Sequence, residues 1–270
     1  EFRRVLFRST LLSACAEQGA RPLLVGVVHL LPLPGAPRAG RDLTPVLDAA
    51  RRDATALAEG CDAVIVENFG DVPFHATRVP AETIAAMALS LAAVGEELGD
   101  LPLGVNVLRN DAAAALGLCA ATGASFFRVN VHTGAAVTDQ GIIEGEADRT
   151  LRERARLAPD AALLADVHVK HASPLGRESI GRAALDALER GMADAVIVSG
   201  HGTGSSPSLE PLAEVRAAVG SRPVLIGSGL TPENAGSLLA HADGAIVGTW
   251  SGSPRSEEHT SELQSHSDLV

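Results

Sequence analysis

Aromatic side chains are scarce in this chain of 270 residues, which holds six Phe, one Trp and no Tyr, 3% in all. Stacking platforms for nucleobases, or for sugar rings in an open cleft, therefore have little material. Basic residues are in deficit too, with 22 Lys and Arg against 33 Asp and Glu and a net charge of -11. Such a surface repels nucleic-acid phosphates and anionic lipid, so neither is expected as a partner. Cysteine is limited to Cys15, Cys61 and Cys119, with no C-x-x-C pair. That argues against a disulfide framework and a cysteine zinc site, and a reducing cytoplasm is the simplest setting. Long apolar runs are also missing. The most apolar stretch, Leu23 to Pro34, contains His29 and two prolines and is far shorter than the roughly 20 residues a spanning helix needs. The basic opening EFRRVLFRS has no apolar signal core, so no targeting segment is expected.

What remains has the composition of a compact protein: 46% apolar and 20% charged residues, enough for one large domain or two small ones with a buried core. Residues 1–9 and 251–270 are set aside from the fold, because both resemble translated cloning flanks and the second is a polar run without apolar period. Between them, over residues 10–250, short β-branched runs alternate with Ala-rich amphipathic stretches. Eight strands are expected: Leu23 to His29, Ala63 to Asn68, Leu103 to Leu108, Ser125 to Val131, Ala162 to Val169, Ala195 to Ser199, Val224 to Ser228 and Gly244 to Thr249. Seven helices are expected between them. Thr44–Pro45 open the first and Gly60 stops it, and Pro80 opens the second, ending at Gly95 or Gly99. The others run over Asp111 to Gly123, Glu146 to Leu157, Arg177 to Gly191, Leu209 to Gly220 and Thr231 to Ala242.

Eight parallel strands with intervening helices in about 230 residues predict an α/β fold, the (β/α)8 TIM barrel, which typically takes about 250. An eighth helix would follow Thr249, where the foreign-looking tail begins, so the barrel is expected to lack its last helix and to leave apolar outer faces uncovered there. A doubly wound open sheet is the alternative. The first strand is followed by LLPLPGAPR rather than G-x-G-x-x-G, which removes the main support for a dinucleotide-binding domain, and no nucleotide cofactor is indicated.

Strand parity then selects candidate site residues, since alternate side chains on a barrel strand face the lumen. The inferred inner face carries His29 on the first strand, Glu67 on the second, Asn106 on the third, Arg128 and Asn130 on the fourth, Asp166, His168 and Lys170 on the fifth, and Ser199 on the sixth. All lie toward carboxyl ends, where TIM-barrel active sites are built. Singly, His29 can be a capped loop histidine, and Asn106 or Asn130 can satisfy loop backbone. Together, polar groups on six successive inner faces are costly to a fold that does not use them.

The cluster DVHVKH admits several chemistries. Asp166, His168 and Lys170, at i, i+2 and i+4, share one side of an extended chain, with His171 turned away. They could supply a base, its orienting partner and an electrophile for a developing oxyanion. Glu67, Asp166 and His168 could instead hold a divalent metal, Lys170 could form a Schiff base, or Lys170 could simply pair with Glu67 or Asp166. In IGSGLTPEN, Gly227, Ser228 and Gly229 let backbone N–H groups converge before a helix N-terminus at Thr231 and Pro232, and Gly248 with Thr249 repeats the theme next door. A phosphorylated ligand is expected at that pair of strand ends. Thr203 and Gly204 in SGHGTG could wrap it, and HTGAAVTDQGIIEGEAD suits a mobile lid that brings Asp139, Gln140 and Glu144 to the ligand, or a plain solvated loop.

GVVHLLPLPGAPR, DAVIVENFGDVPF, GVNVLRND, FRVNVHTGAAVTDQGIIEG, DVHVKHA, SGHGTG and GSGLTPENA together resemble the BtpA/SgcQ family, over about Leu24 to Thr249. The resemblance implies a barrel of the ribulose-phosphate-binding type. One branch of that family is associated with photosystem I biogenesis and another with a sugar-metabolism operon, and neither brings a reaction with it. Two functions are therefore carried forward. One is an enzyme of isomerase or aldolase type, cytoplasmic and possible as a homo-oligomer, acting on a small phosphorylated sugar or related metabolite. The other is a non-catalytic assembly factor that keeps the barrel.

Overall fold

The computed structural model describes residues 21–199 and 209–248. Eight parallel strands close into a barrel: β1 (Leu23–His29), β2 (Ala63–Glu67), β3 (Leu103–Asn106), β4 (Phe126–Val129), β7 (Ala162–Val167), β9 (Ala195–Val198), β10 (Val224–Ile226) and β11 (Gly244–Gly248). Around the barrel their order is β1-β11-β10-β9-β7-β4-β3-β2. The helices between them are α1 (Thr44–Ala58), α2 (Ala81–Leu98), α3 (Ala112–Thr122), α4 (Ala147–Leu157), α5 (Ile180–Leu185), α6 (Leu209–Val219) and α7 (Pro232–Leu238). Local chemistry explains their ends. Asp111 caps α3 by accepting from the Ala114 N–H at 3.0 Å, and Gly123, at φ 80°, ends it in the left-handed conformation.

The strands are apolar on both faces because both are covered. Val25, Val27, Ala63, Ile65, Phe126, Leu164, Ile197, Leu225 and Ile246 fill the lumen, while Val64, Val66, Phe127, Leu163 and Val198 pack outward against the helices. Gly104 lies opposite Phe126 in register, and a Cβ there would come within 2.2 Å of the Phe126 ring, so the ring takes the space that glycine leaves.

A repeated device braces the amino-terminal rim. Asp62, Asp194 and Asp243, each just before a strand, accept from an N–H group within the first two residues of the neighbouring strand: Leu24, Leu163 and Val224, all at 2.8 Å. Arg154 and Arg216 pair with the second and third of these carboxylates. The charged groups at that end of the barrel serve stability.

Three expectations are corrected. The stretch after β4 is neither an open lid nor a plain loop. It forms a hairpin, β5 (Ala135–Thr138) and β6 (Gly141–Glu144), which joins β8 (Ala172–Pro174) in a three-stranded antiparallel sheet. Ala136 and Ile143 point inward onto Val131 and Val169, while Val137 and Ile142 stay exposed, and Gly141 takes φ 100° at the turn. The fifth barrel strand ends at Val167, earlier than expected, because His168 adopts φ 51°. The helix expected from Arg177 begins at Ile180, capped by Ser179, and passes into a π-helical turn over Asp186–Arg190. Thr203, Gly204, Thr249 and both flanks lie outside the described residues, and so does the place where a last helix would be.

Candidate functional site

The carboxyl ends of the strands enclose a cavity of about 320 Å3. At its floor Arg128, presented by β4, is gripped by two carboxylates. Its Nε and Nη2 donate to the two oxygens of Asp166, each at 2.8 Å, and Nη1 donates to Glu67 Oε1 at 3.0 Å. Asn130 Nδ2 donates to Asp166 Oδ2 at 2.8 Å, and Asn106 Nδ2 to Glu67 Oε1 at 3.0 Å. Strand register explains the meeting: Asn106 lies opposite both Glu67 and Arg128 in the ladder, and all face inward. Burial works against the charge of the guanidinium, but Asp166 and Glu67 overcome it and hold Arg128 above arginine's ordinary value.

This lattice assigns unequal roles to the two acids. Asp166 has its side chain wholly buried and both oxygens committed, so it is a fixed electrostatic support rather than a free base. Glu67 keeps its second oxygen toward His29, with Nε2 to Oε2 3.8 Å, and the His29 ring lies 4.5 Å from that of Phe69. The cation that pairs with Glu67 and Asp166 is Arg128 rather than Lys170.

The DVHVKH cluster is divided. Because the chain leaves the extended conformation at His168, alternation is lost: Lys170 lines this cavity as expected, His171 joins it, and His168 instead lines a separate one of about 310 Å3 that Asn130 and Asp166 also border. Asp166, His168 and Lys170 thus do not form one constellation. Nor do Glu67, Asp166 and His168 make a metal site, since the two acids already satisfy Arg128 and His168 lines a different cavity from Glu67; among the described residues no group of three His, Cys, Asp or Glu could hold an ion.

Beyond β9 and β10, Ser199 and Ser228 line the cavity with buried hydroxyls that have no hydrogen-bond partner among the described residues. The glycines beside them do different work from that expected. Gly227 donates its N–H to Val198 O at 2.8 Å, and a Cβ on it would lie 2.2 Å from Ser199 Oγ, so it serves strand pairing and close packing. Gly229 takes φ 77°, and Gly248 pairs opposite Val27 within the barrel. Thr231 and Asn234 form a capping box, with Asn234 Nδ2 also donating to Gly229 O at 2.8 Å, so the start of α7 is internally satisfied.

Two cavity residues escaped the parity argument. Arg109, just past β3, donates from Nη2 to the Lys170 carbonyl at 2.6 Å and so braces the turn that carries the lysine. Its signal was an arginine between apolar Leu108 and Asn110 in GVNVLRND. His171 was excluded by assuming an unbroken strand. Asp139, at the tip of the β5–β6 hairpin, does reach the cavity. Behind it, Asn68 ties three loops together, donating to Asp71 Oδ2 at 3.0 Å and accepting from the Leu108 N–H at 2.7 Å, while Asp71 accepts from Leu33 N at 2.8 Å.

Known proteins share this outline. A family model described as the BtpA family matches residues 20–254. The chain is 50% identical over 225 residues to the "Photosystem I biogenesis protein BtpA" of Synechocystis sp., covering 83% of this chain and 78% of that one. It is also 50% identical over 228 residues to an uncharacterized protein of Pyrococcus furiosus, covering 84% and 85%. Among solved structures it is similar to OMP decarboxylase of Leishmania donovani, with a TM-score of 0.55, 17% identity and coverage of 93% and 92%. It is similar too to (S)-3-O-geranylgeranylglyceryl phosphate synthase of Thermoplasma acidophilum in complex with substrate sn-glycerol-1-phosphate, with a TM-score of 0.52, 17% identity and 93% of each chain covered. At such identities the shared property is the barrel. Among the described residues no helix is long and apolar enough to cross a membrane.

Proposed function

The chain belongs to the BtpA family, and from that premise we propose that it is an enzyme acting on a small phosphorylated sugar or related metabolite by acid–base chemistry at the carboxyl-terminal mouth of its barrel. The observation that carries this reading is the approach of His29 to Glu67, Nε2 to Oε2 3.8 Å, at a mouth that also holds two buried hydroxyls without partners among the described residues. His29 exchanges a proton with the substrate while Glu67 orients its ring and stabilises the charged form. Arg128 and Asn106 hold Glu67 in place, because a carboxylate bonded twice through Oε1 cannot readily turn its other oxygen away from the histidine. Lys170 faces the developing oxyanion, which suits proton abstraction beside a carbonyl or cleavage of the adjacent carbon–carbon bond. Ser199 and Ser228 donate to the phosphoryl group, with Asn106 and Asn130 at the floor.

The decisive experiment incubates the protein in D2O with a panel of phosphorylated sugars and follows loss of C–H signals by NMR. Exchange or turnover that disappears in Glu67→Gln, with the fold intact by circular dichroism, is the expected result. Absence of any reaction together with absence of any thermal stabilisation by phosphosugars would refute the proposal. A second reading is favoured by the identity with the photosystem I biogenesis protein: a barrel that binds a partner without catalysis. Under it, Glu67→Gln and His29→Gln would support assembly as well as the unaltered protein does.

A further inference from the structure

Two arginines reach the same mouth in opposite states. Arg128 commits three N–H groups to two carboxylates. Arg109 is only 7% exposed, yet among the described residues it forms no ion pair, and its guanidinium makes one hydrogen bond, to the Lys170 carbonyl. Its Nε is buried with no partner among the described residues. A guanidinium has five donors in a fixed fork and does not shed its charge, so leaving one buried and unpaired is unfavourable. Burial pulls the group below arginine's ordinary value, against the opposing influence of Asp166 and Asp139. The local structure supplies a charge and a donor fork without a matching oxyanion.

The position of that fork is informative. In the closed barrel β3, which leads to Arg109, stands four strands from β10 in either direction, and Ser228 follows β10. Arg109 and Ser228 therefore face each other across the mouth, with His29 and Glu67 on the strands between. A ligand whose phosphoryl group sits at Ser199 and Ser228 directs its far end at Arg109.

We propose that Arg109 receives a second oxyanion, so that the substrate class is a phosphorylated metabolite with a carboxylate or a second phosphate at the end remote from the first. This rests on the phosphate reading above and narrows it. Asp139, which also borders the cavity, partly balances Arg109, and the ligand's oxyanion takes over that role. A substrate with one anionic end leaves the Arg109 fork unsatisfied and binds less tightly for that reason.

Calorimetric titration of the full chain with three probes tests the inference: ribose 5-phosphate with one oxyanion, 6-phosphogluconate with a phosphate and a carboxylate at opposite ends, and ribulose 1,5-bisphosphate with two phosphates. At least one doubly anionic probe should bind about tenfold more tightly than ribose 5-phosphate, a margin suited to one bidentate charge-assisted pair. Which one wins separates carboxylate from phosphate. Arg109→Gln should abolish the margin by weakening the doubly anionic probes far more than ribose 5-phosphate, and Arg109→Lys, which keeps the charge but loses the fork, should retain part of it. The lysine variant carries the test if the glutamine variant does not fold. Equal affinity for all three probes, or a margin that survives Arg109→Gln, would overturn the proposal and leave Arg109 as a brace for the Lys170 turn. Ser228→Ala should weaken all three probes alike. If it weakens none, or if no probe binds the unaltered protein, the phosphate reading falls and this inference with it.

Discussion

Replacing Asp166 with asparagine tests the most specific electrostatic assignment at the site. The carboxylate is wholly buried, the Arg128 side chain is 11% exposed, and two 2.8 Å hydrogen bonds join them. Water therefore cannot take over when the charge is removed. The substituted amide keeps the shape but offers one acceptor in place of two and no charge, and its NH2 group competes with the Asn130 amide, which donates to the carboxylate at 2.8 Å. Glu67 remains to neutralise Arg128, so the loss falls at or below the roughly 3–5 kcal/mol typical of breaking a buried pair from one side. At about 2–4 °C per kcal/mol for a domain of this size, the melting temperature should fall by roughly 10 °C. Differential scanning calorimetry of Asp166→Asn, Arg128→Met and the double variant reads this directly, and the double variant should lose less than the sum of the single ones. A melting temperature within about 2 °C of the unaltered protein, combined with loss of activity, would refute the reasoning, because Asp166 would then be a free catalytic base.

Glu67→Gln should lower turnover by about 10²- to 10⁴-fold with little change in KM, as expected for loss of a group assisting proton transfer, measured by steady-state kinetics on whichever phosphosugar the D2O screen identifies. Gly104→Ala should destabilise by about 1–3 kcal/mol in urea titration, since the added methyl meets the Phe126 ring in a filled lumen. His132 is 1% exposed, with Nε2 2.7 Å from Gly191 O, and burial holds its imidazole below the usual histidine value despite that carbonyl. The unfolded chain thus takes up the proton first, so stability should fall as the pH drops below about 6.5, and His132→Gln should flatten that fall in melts at successive pH values. Cys61 is buried and its thiol is pushed up to about 12, chiefly by burial, so iodoacetamide should leave it unmodified at pH values near about 8 until the protein unfolds.

Most of the architecture was legible in the order of residues, for a local reason. A barrel strand covered on both faces must be apolar throughout, and the helices between carry their own start and stop chemistry, so each unit declares itself within a few residues: Thr44–Pro45 at the start of α1, Asp111 and Gly123 around α3. Parity likewise placed His29, Glu67, Asn106, Arg128, Asn130, Asp166 and Ser199 on the inner face, since alternation holds as long as a strand stays extended. It failed where the chain stopped being a strand. His168 took a positive φ, which exchanged the sides of His168 and His171, and a pattern of only four residues per strand was too short to reveal the β5–β6 hairpin.

Partnership was decided only by the assembled structure. Nothing local tells Arg128 from Arg109 or Asp166 from Glu67: each is a charged residue near a strand end. The closed ring brings Arg128 between two acids, leaves the Arg109 guanidinium with one carbonyl among the described residues, and sets the Ser199 and Ser228 hydroxyls beside an open cavity. Those distinctions depend on contacts between residues 38 to 61 positions apart in the chain, and a hydrogen bond exists only when both ends have been brought within about 3 Å. Residue type and alternation supplied the inventory of the mouth, and closure of the sheet determined which of those groups are satisfied by neighbours among the described residues and which are left facing the cavity.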